Sequence, residues 1–416
     1  MSVAASCVIA TCVPENISLP AGAACYNKTL RMPSSRILPN VGLPQIASLV
    51  LLLVFAAQCL WFMAHVPITQ MESSYIEDGL LHVDRLVNAS SEYRSPLIAV
   101  LAGFPAKAMG SERHFARLSD FRFLIRLPFL LAGLMLGASL WYVARRLYGN
   151  LGGYIALGLY CFSPMAITRT SQVQPDIVGA WGAFGLIFTG IAAAHTLYAP
   201  REVVLWNWKR ILLMGISIAL CIGSQWSLWV VLLPTLAFML WVGHVRPLAA
   251  AGIFAAACAV GLLLLWAVSS FRPFVFAEAL RTAIWIEFSP AQFSGKTVYS
   301  LLGLFFLQNG LGPAILLLVS LGTFAFWKRT RYFGTAAPLI TAVLLIAVGL
   351  TMQHFAGLIF LFIALPFLML FMAGISADLL ETRYAVFANA IIVGVLVANA
   401  IVAVSGLLQL GHYGNR

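Results

Sequence analysis

Half of this chain's carboxylates fall in one short stretch. Residues 67–128 hold Glu72, Glu77, Asp78, Asp84, Glu92, Glu112 and Asp120, seven of fourteen acidic residues. The same stretch carries Tyr75, Lys107, Arg113, His114, Arg117, Arg122 and Arg126. Arg113 and Arg117 are four apart, as are Arg122 and Arg126, so each pair can share a helical face. A carboxylate at a membrane surface can remove a proton, and an arginine fork can hold a phosphate through paired hydrogen bonds. The same residues can equally solvate an interfacial helix and touch lipid headgroups. A second focus lies further on. Asp176 follows Pro175 and is flanked by Gln172 and Gln174, with Arg169 just upstream. A carboxylate at a helix start is favoured by the helix dipole, and ionisable groups at a membrane boundary are also functional candidates.

The elements that must position these groups are membrane helices. The chain has 416 residues, of which 61% are hydrophobic and 9% charged. Soluble domains carry about 25% charged residues, so the composition excludes a soluble globular protein. At about 20 apolar residues per crossing, spans are expected near 44–66, 127–144, 151–168, 176–198, 211–224, 226–243, 248–270, 300–326, 335–352, 356–376 and 385–408. The fold expected is therefore all-α and polytopic, with about eleven transmembrane helices (range about 10–13). Residues 1–43 are expected as a cytoplasmic N-terminal segment, 44–408 as the transmembrane domain and 409–416 as a short external tail. The run 44–66 reads as an uncleaved signal-anchor.

Charge sets the orientation. With a cytoplasmic N-terminus, the inside segments hold thirteen basic residues against Glu15, Glu202, Asp378 and Glu381. Twelve basic and ten acidic residues then remain outside, mostly in long loops that the positive-inside rule discounts. This puts the 67–128 loop and the 271–299 segment on the exterior face of a plasma membrane (a bacterial inner membrane). Ile76, Leu80, Val83 and Val87 make one apolar stripe, with Asp78, His82 and Arg85 opposite, as an interfacial amphipathic helix requires. A second helix is expected over 95–109. The net charge of +11 is read as basic cytoplasmic loops facing anionic lipid, and no basic run interleaved with aromatics indicates nucleic acid.

Four of the seven cysteines, Cys59, Cys161, Cys221 and Cys258, sit in apolar spans, where cysteine behaves as a small buried hydrophobe. Cys7, Cys12 and Cys25 lack metal-ligand spacing and are expected as free thiols. The external loops offer no paired-histidine or Asp-x-Asp arrangement, so neither a metal site nor a cofactor is expected.

Four passages in order resemble the GT-C superfamily of polyprenyl-phosphate-dependent glycosyltransferases, and within it the protein mannosyltransferase and lipid A aminoarabinose transferase branch. MetGluSerSerTyr at 71–75 resembles an Asp-Glu-x-x-Tyr motif after the first span, with Met71 where the family usually has aspartate. SerProLeuIleAlaVal at 95–100, then Lys107, Gly110 and ArgLeuPro at 126–128, resembles the entry into the second span. ArgArgLeuTyrGly at 145–149, SerPro at 163–164 and ProAsp at 175–176 form the third passage. GlnHisPhe at 353–355 ahead of Pro366 is similar to a His-Tyr…Pro passage near the family's last spans.

The resemblance implies sugar transfer from a polyprenyl-phosphate donor to an outer-leaflet or periplasmic glycan, lipid or protein acceptor. A carboxylate must take the acceptor's proton, and cations must stabilise the leaving phosphate. The motif match puts Glu72 first as base, with Asp78 and Glu77 one helical turn further, and it matches Asp176 to an acidic position of the family. Tyr75, Lys107, Arg117, Arg126, Arg169 and His354 are the expected substrate-binding residues. Two other functions compete. Met71 at the aspartate position fits a non-catalytic membrane subunit or scaffold with protein partners. A secondary transporter is disfavoured, because there is no internal repeat and the mid-span positions lack charge.

Overall fold

The computed structural model describes residues 42–83, 95–108, 122–198, 208–268, 271–273, 276–277, 281, 303, 310–327, 332–351 and 354–413. These residues are helical almost throughout. In chain order the helices are α1 Leu43–His65, α2 Gln70–Val83, α3 Pro96–Ala108, α4 Arg122–Cys161, α5 Pro164–Thr170, α6 Pro175–His195 and α7 Trp208–Ser224. A 3-10 turn at Trp226–Val231 leads into α8 Leu232–Val242. Then follow α9 Pro247–Val268, α10 Leu311–Phe326, α11 Tyr332–Thr351, α12 His354–Leu380 and α13 Ala385–Tyr413. Among the described residues, seven helices are long and apolar enough to cross a membrane, and the shorter apolar helices Pro96–Pro105, Trp226–Val242 and Gly312–Phe326 join them. The chain is a multi-pass, all-helical membrane protein. Each expected span falls on helix, except that 151–168 is broken at 162–163, and residues 269–270, 300–302, 304–309 and 352 lie outside the described set.

Two of the expected spans are limbs of one kinked element. Gly149 sits inside α4 at φ 80, ψ −174, a conformation open only to a residue without a Cβ. The chain turns back there, because Tyr160 from the second limb donates to the carbonyl of Gly133 in the first at 2.8 Å. The second limb ends at Cys161, and helix restarts at α5 with Ser163 as N-cap, its hydroxyl accepting from the Ala166 N–H at 3.3 Å, and Pro164 at the first position. A break inside a membrane exposes carbonyls that lipid cannot satisfy. Gln58 of α1 answers one, donating to the Cys161 carbonyl at 3.3 Å. The Ser-Pro pair is thus a helix-restart signal.

Helix α12 is the hub. Of its most apolar window 89% is buried, against 22% for α13. Phe360 through Met372 present apolar residues on every side, the pattern of a helix surrounded by others. It packs against α11, α4, α6, α10 and α13. The opposite case is α1, whose Leu49, Val50 and Leu53 are exposed, as a lipid-facing stripe should be.

The expected interfacial helices form α2 and α3, with Ile76 and Leu80 buried on the predicted stripe. They meet backbone to backbone: a Cβ on Gly79 would strike the Ala99 carbonyl and Gly103, and one on Gly103 would strike Gly79. Val87, His82's side chain and Arg85 lie outside the described set, as do residues 1–41 and their cysteines.

Candidate functional site

The site end of the bundle is where α1, α2, α4 and the turn between α5 and α6 converge. Its central contact is Glu72 with Arg126, 54 residues apart in sequence, both essentially inaccessible to solvent. Arg126 Nε donates to Glu72 Oε1 at 2.8 Å and Nη2 to Oε2 at 2.7 Å, the bidentate fork–carboxylate geometry. The remaining guanidinium donors reach the carbonyls of Met63 at 3.4 Å, Val66 at 2.9 Å and Pro67 at 3.0 Å. A guanidinium has five N–H groups, and Arg126 spends all of them on Glu72 and on the carbonyls left open where α1 ends.

Glu72 is equally committed. Besides Arg126 it accepts from the Thr69 backbone N–H at 2.9 Å, the Thr69 hydroxyl at 3.2 Å and the Val173 N–H at 2.9 Å. The Thr69 hydroxyl in turn accepts from the Glu72 N–H at 3.3 Å. Thr69-x-x-Glu72 is therefore a capping box at the start of α2. Five donors on two oxygens leave this carboxylate no open direction for a substrate hydroxyl. It ties three pieces together: the start of α2, the entry of α4 and the turn at Val173.

Three residues past Val173 stands Asp176, buried at the start of α6 after Pro175, where the dipole favours a negative charge. Arg169, from the last turn of α5, brings Nη1 to 2.8 Å of Asp176 Oδ2. That nitrogen directs its hydrogen bond at Gln174 Oε1, and Oδ2 receives no directed hydrogen bond. Gln174 in turn donates to Gln172 Oε1 at 3.0 Å. The Arg169 side chain keeps 20% exposure while Asp176 has 3%. Asp176 thus differs in kind from Glu72: it is an ion-paired carboxylate with acceptor capacity unfilled, beside a cation that reaches solvent.

The other expected site residues scatter. Asp78 and Tyr75 are half-buried on α2, Glu77 is exposed, and Lys107 is half-buried in the last turn of α3. Met71 is exposed at 53%. Arg122 lies over the Phe123 ring, 5.7 Å from its centroid, instead of sharing the task of Arg126. His354 begins α12, but its side chain lies outside the described set, as does all of Arg113, His114 and Arg117. Glu72 is tied to the turn that precedes Asp176 through the Val173 N–H. Expectation missed Thr69 and the Val173 N–H. The first was legible as a capping box, whereas a backbone donor leaves no trace in residue type. Among the described residues no group of three His, Cys, Asp or Glu could hold a metal ion.

Residues 113–271 match the family of dolichyl-phosphate-mannose-protein mannosyltransferases. A comparison with curated proteins gives no match. Among solved structures, the chain is similar to ArnT from Cupriavidus metallidurans bound to undecaprenyl phosphate, with TM-score 0.60 and 13% identity over 89% of this chain and 76% of that one. It is also similar to the Archaeoglobus fulgidus oligosaccharyltransferase tethered with an acceptor peptide, with TM-score 0.53 and 11% identity over 89% of this chain. The same holds for Archaeoglobus fulgidus AglB in complex with an inhibitory peptide and a dolichol-phosphate, at TM-score 0.54, 13% identity and 87% of this chain. The chain spans 55% and 56% of the length of those two archaeal proteins. The chain thus shares the fold of these solved membrane proteins, and its residues 113–271 are similar to the mannosyltransferase family.

Proposed function

We propose that this chain is a membrane glycosyltransferase that moves a sugar from a polyprenyl-phosphate donor to an acceptor at the outer leaflet, with Asp176 as the base and Arg169 as the cation that meets the donor phosphate. The observation that carries this reading is the contrast between the two buried carboxylates. Glu72 is saturated by five donors. Asp176 has an oxygen with no directed hydrogen bond beside a partly exposed guanidinium. A base needs a lone pair not already spent on donors, and of the two carboxylates Asp176 keeps one, buried against the Arg169 guanidinium. Arg169 is placed to stabilise charge growing on the leaving phosphate. Glu72 and Arg126 are then positioning residues, because they fix the turn that presents Asp176. Tyr75, Asp78, Glu77, Lys107 and Arg117 of the external loop, and His354 at the start of α12, stay with this proposal as substrate contacts. The neighbours lend support by what they hold: undecaprenyl phosphate in one, dolichol-phosphate in another. A bacterial inner membrane with the site outside fits the basic residues at the opposite end.

Met71 favours a second reading. It puts an exposed thioether where the resembling motif has a carboxylate, as expected of a scaffold subunit that lacks the chemistry. Complementing a deletion strain with Asp176→Asn and Arg169→Ala, and profiling envelope glycans by mass spectrometry, separates the two. The transferase reading expects both variants to lose one sugar modification while the protein stays at wild-type level. Full complementation by both, with the chain co-purifying in a complex, establishes the scaffold.

A further inference from the structure

The end of the bundle remote from Asp176 has a feature that sugar transfer does not use. Helices α6 and α7 run antiparallel, since Gly179 approaches Ser224 near the site and Gly185 approaches Ser217 one step away from it. The start of α7, the end of the first limb of α4 and the turn before α13 therefore share the remote end, where Tyr148 donates to the Gly334 carbonyl and rests on Gly374. There, three cations lie over aromatic rings: Arg145 is 5.1 Å from the Trp141 centroid, Lys209 is 5.7 Å from Trp208 and Arg383 is 4.9 Å from Tyr384. Arg383 also donates to the Tyr384 hydroxyl at 2.7 Å. Trp208 and Tyr384 are exposed, as are Arg146 and Arg246, and Trp241 stands beside the latter's turn.

We propose that this end is a headgroup-binding face selective for anionic phospholipid, with Arg145, Lys209 and Arg383, each carried on an aromatic ring, as its contact points. Two physical arguments favour lipid over a globular partner. The contact points sit on different elements, Arg145 on α4, Lys209 on α7 and Arg383 before α13, with α7 packed on α6 and α9 and α13 on α10, α12, α1 and α4. A two-dimensional array of lipids can meet cations carried on separate helices. Each point also borders exposed apolar side chains, Leu147 beside Arg145, Leu212 and Leu213 beside Lys209, and Val386 and Phe387 beside Arg383. A ring at headgroup depth with a cation above it and acyl chains below is the arrangement of an interfacial anchor. An anionic leaflet attracts such cations by about 1 kcal/mol each, or about fivefold in partition.

The test uses the full chain reconstituted in phosphatidylcholine bilayers, with spin-labelled phosphatidylglycerol and phosphatidylcholine compared in the motionally restricted lipid shell. The wild type is expected to prefer phosphatidylglycerol about threefold or more, in line with the attraction per cation. The triple variant Arg145→Gln, Lys209→Gln, Arg383→Gln is expected to lose most of that preference. The charge-conserving triple Arg145→Lys, Lys209→Arg, Arg383→Lys keeps it. If the neutral triple does not fold, wild type in about 1 M salt, where screening acts within ~3 Å, must show the same loss. A preference unchanged by neutralisation or by salt overturns the proposal. So does displacement of the labelled lipid by soluble glycerophosphoglycerol, which indicates discrete anion pockets instead of a bilayer face.

Discussion

Replacing Glu72 by Gln tests the buried pair at its most exposed logical point. The carboxylate takes two donors from Arg126, two from Thr69 and one from Val173. A carboxamide offers one acceptor oxygen and an NH2 that faces donors, so at least two of the five bonds are lost and the Arg126 charge is left buried without its counter-ion. Breaking one partner of a buried pair costs about 3–5 kcal/mol. Arg126→Gln is expected to cost a similar amount, since it also releases the carbonyls of Met63, Val66 and Pro67. The double variant Glu72→Gln, Arg126→Gln removes both charges, and its loss falls short of the summed single losses by about 2 kcal/mol, within the coupling range of residues sharing a network. The assay is reversible unfolding in mixed micelles by denaturant titration, with the free energy extrapolated to zero denaturant. Additivity within about 0.5 kcal/mol, the behaviour of independent sites, refutes the reasoning. A Glu72→Gln protein of wild-type stability that has lost sugar transfer refutes it differently, because Glu72 then acts in the chemistry.

Three further outcomes follow from single contacts. Thr69→Ala removes the cap of α2 and one Glu72 donor, and is expected to cost about 1 kcal/mol of stability in the same titration. Gly103→Ala puts a methyl into the backbone of α2 at Gly79; it is expected to cost about 1–3 kcal/mol and to make the α2–α3 pair a preferred site of limited proteolysis. Tyr148→Phe removes the hydrogen bond to the Gly334 carbonyl, for about 1 kcal/mol, and leaves sugar transfer intact because the contact lies at the remote end.

The helices were legible because apolar length is a one-dimensional signal. The expected spans on described residues are helical, 151–168 with a break at 162–163, and the stripe through Ile76 and Leu80 is the buried face of α2. The turn at Gly149 was less so: a glycine that must adopt φ 80 looks in sequence like any other between two spans. The site was legible as a set of residue types but not as roles. Glu72 and Arg126 both carried motif matches, yet nothing in their spacing told that they would saturate each other across 54 residues. Arg169 and Asp176 are seven apart across the junction of two helices, so helical periodicity gave no pairing, and the contact depends on the bend at Ser171–Gln174. Close backbone crossings such as Gly79 with Gly103 come from tertiary packing and leave no periodic mark.

The most direct measurement is the affinity of the purified chain in nanodiscs for undecaprenyl phosphate, compared with undecaprenol, for wild type, Arg169→Ala and Asp176→Asn. The account predicts that wild type distinguishes the phosphate from the alcohol, that Arg169→Ala weakens phosphate binding about tenfold or more, as loss of a charge-assisted contact should, and that Asp176→Asn binds at least as well as wild type because a negative charge beside the phosphate is gone. Equal affinity for phosphate and alcohol, or a phosphate affinity indifferent to Arg169→Ala, contradicts it.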